Sequence, residues 1–384
     1  MKKILLMVPM LHQGGFERVC IRTARLLQEQ CEISILIFSG DDIAYDIKGL
    51  QIIDIRIPGR KGILAKINNV WARIHKVKEI KQTMGIDITY SFGLTANLVN
   101  VFSKVQDQIW IGLRGFTDLS SQLHPILCKR ADKIIACSAT IQEIVQKAYP
   151  QKDIISIYNP YDICAMKMQA DAYLTEKEEA LFTGHQIILS MGREDEVKGF
   201  WHLIRSFAQL HAQMPQTRLM IIGEGEYEEN KQFAEELGVE EEVFFIGVKK
   251  NPFPYLKRAD VYALTSLHEG FPNALVEAMA LGIPVVAANC RSGPAEILCE
   301  DYRTAVDDTL LYEAEYGILL PTLKEHKNLD PTVVEPEEAV LTEQIKRLLT
   351  QEALRTKYSK AGSERASQFS DEAYVDKLMQ NMLK

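Results

Sequence analysis

Short runs of β-branched and aliphatic residues recur along this chain with amphipathic helical patterns between them, and this alternation constrains the fold more than any other feature. Runs at 3–8, 32–38, 51–56, 87–90, 108–113 and 133–137 read as strands. Strands that are nearly continuously apolar are buried on both faces, and helices between successive strands supply the crossovers that parallel pairing needs. The alternation stops at Asn159-Pro160, and a weakly patterned polar stretch follows to Gly184. It then restarts with runs at 187–191, 218–222, 243–246, 261–264 and 284–287. The last helical patterns, 336–349, 352–369 and 371–383, have no strand between them. The expected organisation is a doubly wound α/β domain over 1–160, a second over 161–370, and a terminal helix at 371–384 packing back toward the first.

The length of 384 residues suits two such domains, and 47% hydrophobic residues suffice for two cores. A net charge of −8 argues against a general nucleic-acid binder. Seven cysteines stand singly, at Cys20, Cys31, Cys128, Cys137, Cys164, Cys290 and Cys299, with no CxxC pair. That usage points to a reduced, cytoplasmic setting. Residues 1–11 are basic and then apolar, but the run passes into Gly14-Gly15 without a small-residue cleavage site, so it reads as a buried strand and not an export signal.

Ligands of doubly wound sheets bind beyond the carboxyl ends of the strands, and the segments after these strands carry the chemistry. After 261–264 comes Glu269-Gly270-Phe271-Pro272-Asn273, then Glu277, two carboxylates eight residues apart. Pro272 suits the first helical position, so a helix is expected to begin between Phe271 and Asn273. Glu269 then precedes the helix and Glu277 lies about a turn inside it, both offering acceptors to a hydroxyl-rich ligand. An isolated pair with this spacing reads better as carboxylates complementing a helix dipole; the flanking Gly-Phe-Pro-Asn reverses this in favour of the ligand.

After 187–191 stand Gly192-Arg193 and then Lys198-Gly199 at a helix start, a fork and a point charge beside helix amides that suit a diphosphate without a metal. The intervening Glu194, Asp195 and Glu196 offer the competing reading of a neutralised surface pair. Gly223 and Gly225 imitate a dinucleotide fingerprint, but the third glycine is missing and Glu224, Glu226 and Glu228 repel a pyrophosphate. A nicotinamide cofactor is disfavoured; the glycines are read as allowing close approach of a nucleotide, and the acids as solvated. Ser292 and Gly293 lie where another helix start faces phosphate. In the first half, Gly14-Gly15 ends the first strand and brings backbone toward a ligand, with Glu17 and Arg18 in the following turn.

In this order the motifs resemble those of glycosyltransferase family 4, of the GT-B class, over nearly the whole length: Gly14-Gly15-Phe16-Glu17-Arg18, Gly192-Arg193, Lys198-Gly199, Gly223 with Gly225, and 269–280. The resemblance implies two Rossmann-like domains facing across a cleft and retaining transfer from a nucleotide-activated sugar, usually UDP-linked, with no bound cofactor or metal. Carried over, Arg193 and Lys198 neutralise the leaving diphosphate, Glu269 holds donor-sugar hydroxyls, Glu277 grips the ribose, and the amides of Gly270 to Asn273 face the sugar or phosphate, with Gly15, Gly192 and Gly223 lining the same site. The segment 292–297 is similar to that of bacterial surface-polysaccharide enzymes. Many relatives carry a histidine after the strand matching 108–113, where this chain has Arg114 and Asp118; these two become candidates for orienting the acceptor.

The expected activity is transfer of a hexose or N-acetylhexosamine from a UDP-sugar to a growing glycan linked to polyprenyl diphosphate. The alternatives are a GT-B sugar-nucleotide epimerase, which would convert the donor alone, a two-domain sugar-binding protein, which has no use for a diphosphate clamp, and an inactive partner subunit. Between Arg56 and Lys81 lie Arg60, Lys61, Lys66, Arg73, Lys76 and Lys78 against Glu79, with Ile63, Ile67, Val70, Trp71, Ile74 and Val77 at helical spacing. This basic amphipathic stretch suits peripheral contact with anionic lipid, and equally a helix whose apolar stripe packs on the sheet with its cations outward.

Overall fold

The computed structural model describes every residue except Gln13, Asp42, Arg60, Val306, Leu383 and Lys384, and of Thr117 the backbone alone. The chain divides into two compact units, Met1–Pro160 with Asp371–Lys384, and Tyr161–Ser370.

The first unit holds β1 Lys3–Val8, β2 Glu32–Ile37, β3 Ile52–Asp54, β4 Ile88–Phe92, β5 Gln108–Leu113, β6 Lys133–Ala136 and β7 Asp153–Ser156. They form one parallel sheet in the order β3-β2-β1-β4-β5-β6-β7. The edge strand β7 escapes the sequence pattern, since only Ile154 and Ile155 mark it and Pro150 and Pro160 stand close on either side. The period of two sorts β1 between two cores. Ile4, Leu6 and Val8 pack with Val19, Ala24 and Leu27 of helix Gly15–Leu27, whereas Leu5 and Met7 pack with Val77, Ala96 and Val99 on the other face. Helix Asp371–Met382 joins the former core through Tyr374, Leu378 and Met382, one residue per turn. The hydroxyls of Tyr374 and Thr23 lie 2.7 Å apart, and Arg22 pairs with Asp371.

Helix Ile63–Met84 corrects the two-faced reading of the basic stretch. Its buried column is Asn69, Arg73, Val77 and Lys81, so two of the cations expected outward point inward. Arg73 donates twice to the Ile57 carbonyl, at 3.0 and 2.8 Å, and lies over the Phe38 ring. Lys81 is fully buried, its ammonium 2.9 Å from both Asp107 Oδ2 and Asn100 Oδ1. Burial pulls its pKa down to about 8, and the Asp107 carboxylate opposes that pull. Val70 and Ile74 are half-buried, but Ile63, Leu64, Ile67 and Trp71 are exposed, the first two at 79%. Lys61, Lys66, Lys76 and Lys78 are exposed with them; Arg60 lies outside the described residues.

The second unit holds β8 Gln186–Met191, β9 Thr217–Ile222, β10 Val243–Gly247, β11 Val261–Leu264, β12 Val285–Ala288, β13 Tyr312–Glu313 and β14 Ile318–Leu320. Their order is β10-β9-β8-β11-β12-β14-β13, parallel except for β13 against β14. These last two strands, three residues or fewer each, are too short for an alternation to register. Leu203, Ile204, Phe207 and Leu210 of helix Phe200–Gln213 meet Leu341, Ile345 and Leu348 of helix Pro336–Thr350 in the core. Helix Glu352–Ala366 tightens into a 3-10 turn, Ser367–Phe369, where a continuous helix is expected from sequence. No helix among the described residues is long and apolar enough to cross a membrane.

Candidate active site

In the second sheet the strand order reverses between β8 and β11, and the loops leaving the carboxyl ends of these two neighbours carry Arg193, Lys198 and Glu269. A reversal of this kind leaves a crevice at the strand ends, the usual ligand position in such sheets. The β8 loop runs through Gly192 and Arg193 into a 3-10 turn, Glu196–Lys198, with Asp195 as its cap, before helix Phe200–Gln213. Lys198 therefore closes the turn before the helix. The β11 loop ends at helix Asn273–Ala280, whose N-cap is Pro272 with ψ 103°. The start falls within the expected range, but Pro272 is the cap and not the first helical residue: the ring fixes φ near −70°, and the extended ψ leaves it outside the helix. Glu269 precedes the helix and Glu277, buried, lies inside it.

The structure brings Lys198 and Glu269 together, Nζ to Oε1 2.7 Å. Leu267 N–H donates to the Val197 carbonyl at 2.7 Å, and Thr265 Oγ1 to the Lys198 carbonyl at 3.0 Å, which ties the two loops together. The acids expected to compete for the cations divide. Glu194 accepts from Tyr227 N–H at 2.7 Å, Asp195 caps Val197 and lies 3.9 Å from an exposed Arg193, and Glu196 lies 4.0 Å from Lys327. Behind the pair, burial pushes the Tyr262 hydroxyl above its ordinary range, with Glu269 and Glu277 adding to the rise. Burial also pushes the Cys290 thiol up, Glu269 adding and Lys198 opposing, which keeps this cysteine protonated.

Several glycines are required by loop-to-loop contact. A Cβ on Gly223 would lie 1.7 Å from the Gly192 carbonyl, and one on Gly225 2.3 Å from Glu194 Cβ. Tyr227 completes this junction, its hydroxyl donating to the Gly192 carbonyl at 2.8 Å. Gly293, at φ 90°, lies against Pro272 and Phe271, and the Ser292 hydroxyl donates to the Gly270 carbonyl at 2.7 Å. Ser292 thus braces the Gly270–Asn273 loop. On the other side of this loop, Tyr161 Oη donates to Asn273 Oδ1 at 2.6 Å, and the Phe271 ring meets that of Phe369 edge-on at 5.2 Å. Sequence reasoning missed Tyr161, Tyr227, Thr265 and Phe369, because each acts across a long stretch of chain and none belongs to a local motif.

In the first unit, Gly14 caps helix Gly15–Leu27 and is held by Tyr45, whose hydroxyl donates to the Gly14 carbonyl at 2.6 Å and accepts from its N–H at 2.9 Å. Gly15 opens the helix and Glu17 is buried in its first turn. The two candidates for orienting an acceptor are engaged internally. Asp118 accepts from the N–H groups of Arg114 and Gly115, and Arg114 donates to Asn159 Oδ1 at 3.1 Å and to the Tyr90 hydroxyl, with its guanidinium over Phe92. Both residues brace the end of β5.

Residues 174–313, which include every donor-side candidate named above, match the family described as glycosyl transferases group 1. The chain carries a glycosyltransferase domain on the GT-B fold. It is 26% identical over 390 residues to the N-acetylgalactosamine-N,N'-diacetylbacillosaminyl-diphospho-undecaprenol 4-alpha-N-acetylgalactosaminyltransferase of Campylobacter jejuni, covering 96% of each chain. It is 32% identical over 254 residues to an uncharacterized glycosyltransferase of Methanocaldococcus jannaschii, and this match spans 64% of the chain but only 62% of the relative. The crystal structure of Anabaena HepE in complex with UDP and glucose superposes with a TM-score of 0.76 at 18% identity, covering 100% of this chain and 99% of that one, a likeness of fold.

Proposed function

We propose that this glycosyltransferase belongs to family 4 and moves a hexose or N-acetylhexosamine from a UDP-sugar, with retention and without a metal, to a surface glycan growing on polyprenyl diphosphate. The observation that carries the reading is the meeting of Lys198 and Glu269 where the strand order of the matched domain reverses. There the bond from the anomeric carbon to the diphosphate oxygen breaks, its electron pair staying on the phosphate, where Lys198 and Arg193 take up the charge. The acceptor oxygen bonds the same carbon from the same face, and its proton passes to the departing phosphate. Glu269 holds a sugar hydroxyl, Glu277 the ribose, and the amides of Gly270 to Asn273 line the donor, with Gly192 and Gly223 shaping the loops around it. The C. jejuni relative, whose name places its acceptor on diphospho-undecaprenol, supports the lipid-linked acceptor. The test is incubation with a panel of UDP-sugars and polyprenyl-diphosphate-linked glycans, read by mass spectrometry. One donor is expected to add a single sugar, with the rate unchanged by EDTA. Conversion of the donor without acceptor would instead indicate an epimerase, and loss of the rate in EDTA would reject the metal-free mechanism.

An acceptor anchored in lipid calls for an enzyme at the membrane surface. Ile63, Leu64, Ile67 and Trp71, exposed beside Lys61, Lys66, Lys76 and Lys78, support contact through this helix. The protein is expected to cosediment with anionic liposomes at low salt, and a Trp71→Ala/Ile67→Ala variant to do so several-fold less. Equal binding to neutral and anionic vesicles, or none to either, rejects peripheral attachment by this face.

A further inference from the structure

The Lys198–Glu269 pair is built into the backbone. Besides the two hydrogen bonds that join its loops, Gly199 at φ 59° fits so closely that a Cβ there would lie 2.4 Å from the Thr265 carbonyl. The two side chains are only 25% and 12% exposed. One of the two cations assigned to the diphosphate is therefore engaged by a carboxylate before a ligand arrives, and the other, Arg193, is 67% exposed and lies near Asp195.

Resting on the function proposed above, this arrangement treats a nucleoside diphosphate and its sugar ester differently. The ester brings hydroxyl donors that satisfy Glu269, which leaves Lys198 to the phosphate oxygens. The free diphosphate brings no sugar hydroxyl to Glu269, so the carboxylate keeps its hold on Lys198. One ammonium cannot fully serve both the carboxylate and the phosphate. We infer that Glu269 determines specificity against the spent nucleotide: by competing for Lys198 it makes the site prefer the sugar-bearing diphosphate and speeds release of the free one. The role goes beyond holding a sugar hydroxyl, because it acts when no sugar is present.

The experiment is calorimetric titration of UDP into the full-length wild type, Glu269→Gln, Lys198→Met and the double variant, with thermal midpoints recorded for each. Glu269→Gln removes the charge and keeps the shape, and is expected to bind UDP about tenfold more tightly than wild type, a modest value for a partly buried charge contact. In the Lys198→Met background the same change is expected to shift the Kd less than twofold, because nothing remains to compete for. A wild type that binds UDP, with a Glu269→Gln variant of unaltered midpoint that binds it no better, overturns this inference alone. A tenfold gain that persists without Lys198 also overturns it, since simple repulsion would then suffice. A wild type that binds no UDP overturns the proposed function itself. Should Glu269→Gln melt lower, Glu269→Ala is read in the same way.

Discussion

Lys198→Ala is expected to lower turnover by about 10²–10³-fold, roughly 3–4 kcal/mol of barrier, the usual effect of removing one preorganised charge contact at a developing anion. Lys198 is held for such a task. Its carbonyl accepts from Thr265, its methylene stem lies against Gly192, where a Cβ would come 3.1 Å from Lys198 Cδ, and its ammonium reaches the mouth of the strand reversal. Because leaving-group charge grows toward the transition state, kcat should fall much more than KM for the donor rises. Lys198→Arg should recover part of the rate, as it restores the charge but not the compact head. Arg193→Ala should act in the same direction. Turnover within threefold of wild type in Lys198→Ala would remove this residue from the leaving-group role, whatever its effect on binding.

The fold class was legible because parallel strands buried on both faces leave long apolar runs, and β1, β5 and β11 occur at the residues where such runs stand. Strands β7, β13 and β14 were not, being short and placed at or next to a sheet edge, where neighbouring strands and not their own sequence define them. The same limit governs the site. The charges of Arg193, Lys198, Glu269 and Glu277 stand in the sequence at strand ends, but the partnership of Lys198 with Glu269 spans 71 positions and depends on β8 lying beside β11, Ile188 opposite Val261. Gly223 likewise shows its reason only once Gly192 is its neighbour. In helix Ile63–Met84 the pattern leaves lipid contact and sheet packing both open, and it does not show which cations turn inward. The buried column in fact carries Arg73 and Lys81, satisfied by a carbonyl and by Asp107, and this leaves Ile63, Leu64, Ile67 and Trp71 outside.

Glu338→Ala is expected to destabilise the second unit by about 3–5 kcal/mol, the usual consequence of removing one member of a buried ion cluster. Glu338 Oε1 receives Arg205 Nη1 at 2.7 Å and lies 2.6 Å from His202 Nδ1, with all three side chains 2% exposed or less. The partners also hold the chain before helix Pro336–Thr350: His202 Nε2 lies 2.9 Å from the Lys324 carbonyl, and Arg205 donates to the carbonyls of Asn328 and Asp330. Without the carboxylate the guanidinium stays buried with no counter-charge, and the cheapest relief is to open the 324–335 segment to water. At roughly 2–4 °C per kcal/mol for a unit of this size, the melting midpoint should fall by roughly 6–20 °C. The control is the triple change His202→Leu, Arg205→Met, Glu338→Leu, which removes every charge and should melt close to wild type, because apolar packing commonly equals a buried ion cluster in stability. A Glu338→Ala midpoint within 2 °C of wild type would show that Arg205 finds water without unfolding. If the triple variant melts as low as the single one, the cluster stabilises through its hydrogen bonds to 324–330 and the uncompensated charge is not the cause. Because helix Phe200–Gln213 begins directly after Lys198-Gly199, a single variant that opens this segment should also lose donor binding in step with its lost stability, whereas the triple variant should retain it.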